Sequence, residues 1–161
     1  MRLLFTFVFM VVTSFGANAS GKQSKDDAKQ LYCLSQNIYY EARGENTAGQ
    51  LAVGMVTMNR VFSKRFPSSI CKVVWQRKQF SWTHDGKSDR PDEEKAWKLA
   101  QQIAKFVFKK YGSYKTISNG ALDLTRGALH YYAPDLADPR WAQSKQVTRQ
   151  IGGHLFLKEN S

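Results

Sequence analysis

The segment from Thr47 to Phe62 constrains the fold most, because it is apolar on almost every side when it is drawn as a helix. Its first residues, Thr47-Ala48-Gly49-Gln50, match a capping box in which Thr47 is the N-cap. The apolar residues that follow are Leu51, Ala52, Val53, Met55, Val56, Met58, Val61 and Phe62. A helix with this pattern is buried on most of its sides. We therefore expect a central helix, with the rest of the domain packed around it.

Stripes of apolar residues at helical spacing predict one helix before this segment and another after it. The first is expected to begin after Ser24, its N-cap, and to stop at Gly44. The second is expected to begin near Pro91 and to stop at Gly112. The stripes consist of Leu31, Leu34 and Ile38 in the first helix, and of Trp97, Ala100, Ile103, Ala104, Val107, Phe108 and Tyr111 in the second.

The C-terminal part of the chain predicts a small β element. Residues 146–151 and 154–157 flank Gly152-Gly153, which is typical of a β-hairpin. A length of 161 residues indicates one domain. The predicted fold class is therefore α+β and mainly helical, with a small β element near the C-terminus.

Residues 1–19 have the features of a secretory signal peptide. Arg2 provides the positive charge, an apolar run follows, and Ala17-Asn18-Ala19 has the form of a cleavage site. The apolar run is shorter than the roughly 20 residues of a transmembrane helix, although an uncleaved N-terminal anchor is the alternative. We expect an exported protein of the periplasm or the cell exterior, with no stable membrane insertion after cleavage. Residues 20–30 would then form a polar leader and the start of the first helix, and residues 31–161 the folded domain.

The charge of the chain bears on its partners. It carries 24 Lys and Arg residues against 13 Asp and Glu, for a formal net charge of +11. A strongly basic exported protein is attracted to polyanions, which in a bacterial envelope include peptidoglycan, teichoic acid and lipopolysaccharide. Export and the dispersed positions of the basic residues argue against nucleic acid as a partner.

The chain has two cysteines, Cys33 and Cys71. An oxidising compartment favours a disulfide between them, and two buried free thiols are the alternative. Two widely spaced cysteines exclude a zinc knuckle. The three histidines, His84, His130 and His154, lack the spacing of metal ligands, so neither a metal nor a cofactor is expected.

Glu41 is an unusual acidic residue, because it follows Ile38-Tyr39-Tyr40 in the last turn of the predicted first helix. Apolar surroundings and the negative end of a helix dipole both raise the pKa of a carboxyl group. A carboxylic acid that stays protonated near neutral pH can protonate a glycosidic oxygen. The alternative is a structural ion pair of Glu41 with Arg43, Arg60 or a lysine.

An ordered set of short motifs resembles the SleB/CwlJ-type cell wall hydrolase family, the relatives of spore-cortex-lytic enzymes, which degrade peptidoglycan. The resemblance implies a lysozyme-like, lytic-transglycosylase-like catalytic domain over residues 31–161, with Glu41 as the catalytic acid. The matching motifs are YYEARGE at 39–45, GQLAVG at 49–54, VTMNRV at 56–61, FP at 66–67, QFSW at 79–82, GALHYY at 127–132, PRWA at 139–142 and IGGHLF at 151–156.

The mechanism depends on whether a second carboxylate assists Glu41. Retaining glycosidases hold two carboxyl groups about 5–5.5 Å apart, and inverting ones about 6.5–9.5 Å apart. Glu45 is a candidate, but a role in the turn or the cap of the next helix is favoured. Asp85 and Asp123 have no motif support. We therefore favour a lytic transglycosylase with a single acid, cleaving between N-acetylmuramic acid and N-acetylglucosamine; a two-carboxylate hydrolase is the alternative.

Aromatic and polar residues near these motifs are candidates for binding glycan. Sugar rings stack on aromatic side chains, and Trp82 is the preferred platform because it flanks a polar loop; ordinary core packing is the alternative. Asn59 lies on the buried helix and needs a hydrogen-bond partner, which is expected near Glu41. The candidates are Tyr40, Trp82, Tyr132 and Trp141 for stacking, Gln79 and Ser81 for hydrogen bonds, and His130 for lining the cleft.

The expected partner is the glycan strand of peptidoglycan, bound by a monomer. Two other classes of function stay open at this point. One is a non-catalytic module that binds the envelope, and the other is a basic protein that binds polyanions. Both differ from the enzyme in that they do not require Glu41.

Overall fold

The computed structural model describes residues 17–117 and 123–160, with side chains for 25–110 and 123–160. The predicted signal peptide lies almost entirely outside these residues and stays a prediction. In the described part there are four α-helices, two 3₁₀-helices and three strands. They are α1 (Ala17–Ala42), α2 (Thr47–Phe62), α3 (Ile70–Val74), a 3₁₀-helix (Ser81–His84), α4 (Glu94–Ile117), β1 (His130–Tyr132), a second 3₁₀-helix (Arg140–Ser144), β2 (Lys145–Ile151) and β3 (His154–Glu159).

Helix α1 is longer than predicted, because it begins at Ala17 and not after Ser24. The polar segment before Ser24, which we expected to precede the helix, is therefore helical. Its lysine and glutamine residues are good helix formers, and it contains no proline to interrupt the backbone hydrogen bonds, so the helix continues through Gly21. The predicted apolar stripe is confirmed further along, where Leu34 and Ile38 are fully buried.

Helix α2 is the central helix that the sequence predicts, since every residue from Ala52 to Arg60 is buried. The predicted N-cap is wrong by one residue. Asn46 caps the helix, and its side-chain oxygen accepts a hydrogen bond from the Gly49 amide at 2.9 Å. Asn46 occupies the cap because its side chain reaches the third helical amide, so Thr47 becomes the first residue of the helix.

Helices α1, α3 and α4 pack on one side of α2 and form the larger core. At Gly54, a β-carbon would lie only 3.1 Å from the Ile38 side chain, so the glycine permits the close approach of α1 and α2. The disulfide between Cys33 and Cys71, 38 residues apart, ties α1 to α3. The helix that carries Glu41 is thus held by packing on two sides and by one covalent bond.

A three-stranded antiparallel sheet covers the other side of α2. Its strand order is β1-β3-β2, and Tyr131 of β1 pairs with Phe156 of β3. Ala52 and Val56 of α2 pack against Phe156 in a second core cluster. The mainly helical α+β fold with a small C-terminal sheet is therefore confirmed. Within the described residues, no helix combines the length and the apolar character needed to cross a bilayer.

We expect Cys33 and Cys71 to resist alkylation until the protein is reduced. Closing a loop of this length in the unfolded chain contributes about 3–4 kcal/mol to the free energy of unfolding, so the Cys33→Ala/Cys71→Ala double variant should lose about that much. Mass spectrometry after iodoacetamide treatment and urea unfolding curves provide the two readouts. Immediate labelling of both thiols in the unreduced protein would contradict the disulfide.

Candidate active site

Glu41 lies in the last turn of α1, where the helix meets both α2 and the sheet. Its side chain is partly buried, and its Oε2 atom accepts a hydrogen bond of 3.0 Å from the Tyr131 hydroxyl of β1. One turn earlier, the buried Asn37 donates from Nδ2 to the Thr57 hydroxyl of α2 at 3.1 Å. These two hydrogen bonds hold the end of α1 against both neighbouring elements and fix the position of the carboxyl group.

The pKa of Glu41 is raised above its usual value, because burial of the carboxyl group outweighs two opposing effects. The hydrogen bond from Tyr131 and the positive charge of Arg60 both favour the ionised form and lower this pKa. The pKa of Tyr131 is itself raised well above its usual value by burial and by the neighbouring carboxylate. Tyr131 therefore keeps its proton and acts as a donor to Glu41.

Arg60, near the end of α2, is a positively charged residue that interacts electrostatically with Glu41. Only 5% of its surface is exposed, and its Nε donates to the Leu129 carbonyl at 2.7 Å. The guanidinium lies over the rings of Phe66 and Phe80, 5.2 and 5.3 Å from their centroids. No carboxylate of the described residues lies within ion-pair distance of the Arg60 guanidinium. Arg60 therefore acts on Glu41 as a nearby positive charge, without a direct ion pair.

A cleft of about 370 Å³ opens next to this pair, and Arg60 and Tyr131 form part of its wall. Its volume is at the lower end of the range for small-ligand pockets, which begins at about 300 Å³. Trp141 leaves 43% of its surface exposed at this cleft and packs against His130 and Tyr132. The lining residues are Arg60, Lys78, Gln79, His130, Tyr131, Trp141 and Lys145.

The predicted glycan contacts fall into two groups. Gln79 and His130 line the cleft, whereas Tyr132 lies behind Trp141 with its ring edge-on at 5.9 Å. His130 Nε2 is 2.9 Å from the Glu159 carboxylate, and burial lowers its pKa. Ser81 is exposed but is not part of this cleft.

Trp82, the preferred stacking platform, is instead a core residue with 7% of its surface exposed. The 3₁₀-helix at Ser81–His84 turns its ring inward, where it stacks on Tyr40 with the ring centroids 4.7 Å apart. This packing leaves little ring area for a sugar. Tyr40 and Trp82 line a second groove of about 660 Å³, together with Arg43, Asp85 and residues 87–92. In the cleft itself, Trp141 is the exposed aromatic surface.

Glu45 connects the start of α2 to the C-terminal hairpin. Its Oε2 accepts a hydrogen bond of 3.0 Å from the Gly153 amide, and its Oε1 lies 3.4 Å from His154 Nδ1. Gly152 has a φ of +57°, and a β-carbon there would collide with the Glu45 carboxylate. Glu45 was predicted to serve the turn before α2. In the structure it also binds the C-terminal hairpin.

Asp123 and Asp85 are also engaged in local structure. Asp123 is buried and accepts hydrogen bonds from Asn59, from the amide and hydroxyl of Thr125 and from the Gly127 amide, all at 2.7–2.8 Å. The exposed Asp85 accepts from the Lys87 amide at 2.9 Å. Asn59 thus has partners, as predicted: Asp123, the Thr125 hydroxyl and the Ala128 carbonyl. That these partners lie near Glu41 stays a prediction.

Sequence reasoning missed the roles of Tyr131 and Asn37 around Glu41, and it named Arg60 only as one of several possible ion-pair partners. Tyr131 is one of two adjacent tyrosines, and no local pattern shows which of them reaches Glu41, 90 residues earlier. Arg60 and Asn37 carried a usable signal, because polar side chains on helices that are otherwise buried require partners. None of the residues lining the cleft is a carboxylate, and Glu41 adjoins the cleft through its hydrogen bond with the lining residue Tyr131.

Comparison with known proteins agrees with this architecture. The Cell Wall Hydrolase family model matches residues 44–157, beginning three residues after Glu41. The chain is similar to the spore cortex-lytic enzyme of Bacillus cereus (30% identical over 143 residues, 89% of this chain and 48% of that protein). It is also similar to that of Bacillus subtilis (31% over 142 residues, 88% and 41%). The chain thus spans about half the length of these relatives or less.

Two solved structures share the fold. The catalytic domain of the Bacillus cereus SleB protein has a TM-score of 0.58 at 30% identity, covering 81% of this chain and 91% of that one. The catalytic domain of the germination-specific lytic transglycosylase SleB from Bacillus anthracis has a TM-score of 0.60 at 29% identity, covering 80% and 93%. The resemblance found in the sequence motifs is confirmed: the chain belongs to the Cell Wall Hydrolase family and has the fold of the SleB catalytic domain.

Proposed function

We propose that this chain is an exported lytic transglycosylase that cleaves peptidoglycan strands between N-acetylmuramic acid and N-acetylglucosamine, with Glu41 as its single acid. The observation that carries the proposal is the position of Glu41. It combines a raised pKa, a fixed orientation through Tyr131 and a place beside a cleft of saccharide size. Membership of the family and the name of the Bacillus anthracis relative support the same reaction.

In the proposed reaction, protonated Glu41 donates its proton to the glycosidic oxygen as the bond from that oxygen to the anomeric carbon of the muramic acid breaks. The carboxylate formed in this way then accepts the proton of the sugar's own 6-hydroxyl. That oxygen attacks the anomeric carbon and forms a 1,6-anhydro ring, so water is not consumed. Arg60 stabilises the carboxylate between the two steps, and Tyr131 holds it in place.

The single-acid scheme is supported by what the other carboxylates do. A hydrolase with two carboxylates needs the second one free to act on the sugar or on a water molecule. Glu45 is bound to the hairpin turn, and Asp123 is enclosed by hydrogen bonds. Glu159, which adjoins the cleft, is bound to Lys145 and His130. We therefore take Glu41 as the carboxyl group that exchanges a proton with a ligand in the cleft.

The other parts of the proposal concern where the protein acts. A net charge of +11 suits a protein that works on the anionic envelope, and the family is named for the cell wall. We therefore place the chain outside the cytoplasm, in the periplasm or the cell exterior, acting as a monomer.

We expect Glu41→Gln to abolish wall lysis, with a loss of activity of at least about 100-fold, because the amide cannot supply the proton. Glu45→Gln is the matched control: it makes the same chemical change four residues away and should keep most of the activity. Turbidity loss of purified cell walls provides the measurement. Lysis by Glu41→Gln at the wild-type rate would contradict the catalytic role. If the rate of that lysis also decreased with increasing salt concentration, the result would indicate a polyanion-binding protein.

The fold of Glu41→Gln can be checked at the same time. The pKa of Glu41 is higher in the folded than in the unfolded chain, so the stability that its protonated form provides is lost as the pH rises through the folded value. Glutamine stays neutral and can still accept the hydrogen bond from Tyr131. The free energy of unfolding of Glu41→Gln near neutral pH should therefore equal or exceed that of the wild type, so lost lysis cannot be ascribed to unfolding.

The products of digestion distinguish the two glycosidase mechanisms. We expect mass spectrometry of digested peptidoglycan to show muropeptides that end in 1,6-anhydro-muramic acid, because the sugar's own hydroxyl replaces water. Hen egg-white lysozyme, which leaves reducing ends, provides the control digest. Reducing-end products from this chain would instead require a hydrolase with a second carboxylate.

A further inference from the structure

The cleft beside Glu41 carries more positive charge than its contacts neutralise. Three of its lining residues are cations: Arg60, Lys78 and Lys145. The Lys145 ammonium is bound to both oxygens of Glu159, each at 3.0 Å. Arg60 and Lys78 have no carboxylate within ion-pair distance in the described part of the chain. Two positive charges at this cleft thus lack a counter-ion.

Arg60 is the more informative of the two, because its charge is buried. Only 5% of its surface is exposed, and its Nη1 is enclosed with no hydrogen-bond partner among the described residues. A buried cation without an anionic partner is unfavourable. Glu41 compensates this charge only while it is ionised, and the proposed reaction begins with Glu41 protonated. In that state Arg60 requires an anion from elsewhere, and the cleft is where one can enter.

Lys78 adds a second, independent observation. Its φ is +64°, a conformation that is uncommon for a residue with a side chain and that carries a conformational cost. Such a cost is typically found at functional sites. The side chain is exposed and forms no hydrogen bond or ion pair in the described part of the chain. The loop between α3 and the first 3₁₀-helix therefore presents an unpaired ammonium at the wall of the cleft.

We propose that this cleft binds a free carboxylate on the sugar next to the scissile bond, so that the preferred substrate is a glycan strand with unsubstituted lactyl groups on its muramic acid residues. In a strand that carries stem peptides, the lactyl carbonyl is part of an amide bond and has no charge. A reaction that hydrolyses this amide bond, adding water and releasing the peptide as an amine, must then act before this enzyme. The inference rests on the proposed function and specifies its substrate.

Binding to the inactive Glu41→Gln variant tests the inference without cleavage. Three saccharides of equal length serve as probes: one with free lactyl carboxylates, one with these groups converted to primary amides, and one with stem peptides attached. We expect the free carboxylate to bind roughly tenfold more tightly than the neutral amide, because charge-assisted hydrogen bonds are the stronger ones. Isothermal titration calorimetry at low salt provides the dissociation constants. Equal constants for the acid and the amide would overturn the inference.

Variants of two lysines distinguish the effect of a positive charge at the cleft from the effect of the protein's net charge. Lys78→Met should weaken the preference for the carboxylate over the amide, and Arg60 should retain the rest of it. Lys105→Met lowers the net charge by the same amount but lies on the exposed face of α4, away from the cleft, and should keep the preference. An equal loss in both variants, or an undiminished preference in Lys78→Met, would overturn the inference. Lys78 is exposed, so its replacement leaves the core unchanged.

Cleavage by the wild-type chain distinguishes failure of this inference from failure of the proposed function. A KM for peptide-free strands about tenfold below that for peptide-bearing strands supports the inference. Cleavage of both with the same KM overturns it and leaves the proposed function standing. Cleavage of neither contradicts the proposed function, and the binding constants of Glu41→Gln still decide whether the cleft recognises a carboxylate.

Discussion

The hydrogen bond from Tyr131 to Glu41 joins parts of the chain that are 90 residues apart, and the candidate site exists only while they stay together. Three further contacts reinforce this junction between the helices and the C-terminal segment. They run from Glu45 to the Gly153 amide, from Asn59 to the Ala128 carbonyl and from Arg60 to the Leu129 carbonyl. All start within 20 residues of each other on α1, α2 or the turn between them. The C-terminal segment is therefore attached near both ends of α2, and its strand β1 carries the tyrosine that orients the acid.

The charge on Glu41 is set by a competition between opposing effects. Burial raises its pKa, whereas Tyr131 and Arg60 lower it. Burial alone would raise the pKa of a carboxyl group so far that it would not release its proton. A guanidinium beside a solvent-exposed carboxyl group would lower the pKa, so that the proton would be lost already at low pH. The arrangement in this fold suits a group that must donate a proton and then accept another. An anion that neutralises Arg60 would shift the balance towards the protonated acid, which links substrate recognition to the first step of the proposed reaction.

Local patterns were sufficient for the parts of the structure that depend on local physics. Helical periodicity placed Glu41 at the end of α1, and the apolar segment predicted the buried α2. Local patterns were not sufficient for contacts that the folded chain makes between distant residues. Trp82 flanks a polar loop in the sequence, but the 3₁₀-helix turns it into the core. The partner of Asn59 is an aspartate 64 residues away, and the choice between two adjacent tyrosines depends on how β1 pairs with β3. Contacts between residues so far apart along the chain produce no local pattern in a single sequence.

The titration of Glu41 tests the central claim most directly. Carbon-13 NMR of the labelled carboxyl group in the full chain measures its pKa in the wild type and in Tyr131→Phe. The wild-type pKa should lie above the ordinary glutamate value of about 4.3, and that of Tyr131→Phe should be higher still, because the lost hydrogen bond favours the ionised form. The lytic rate should fall as the pH rises through the measured value. A wild-type pKa at or below the ordinary value would contradict the account, because Glu41 would then be ionised before it could act as an acid.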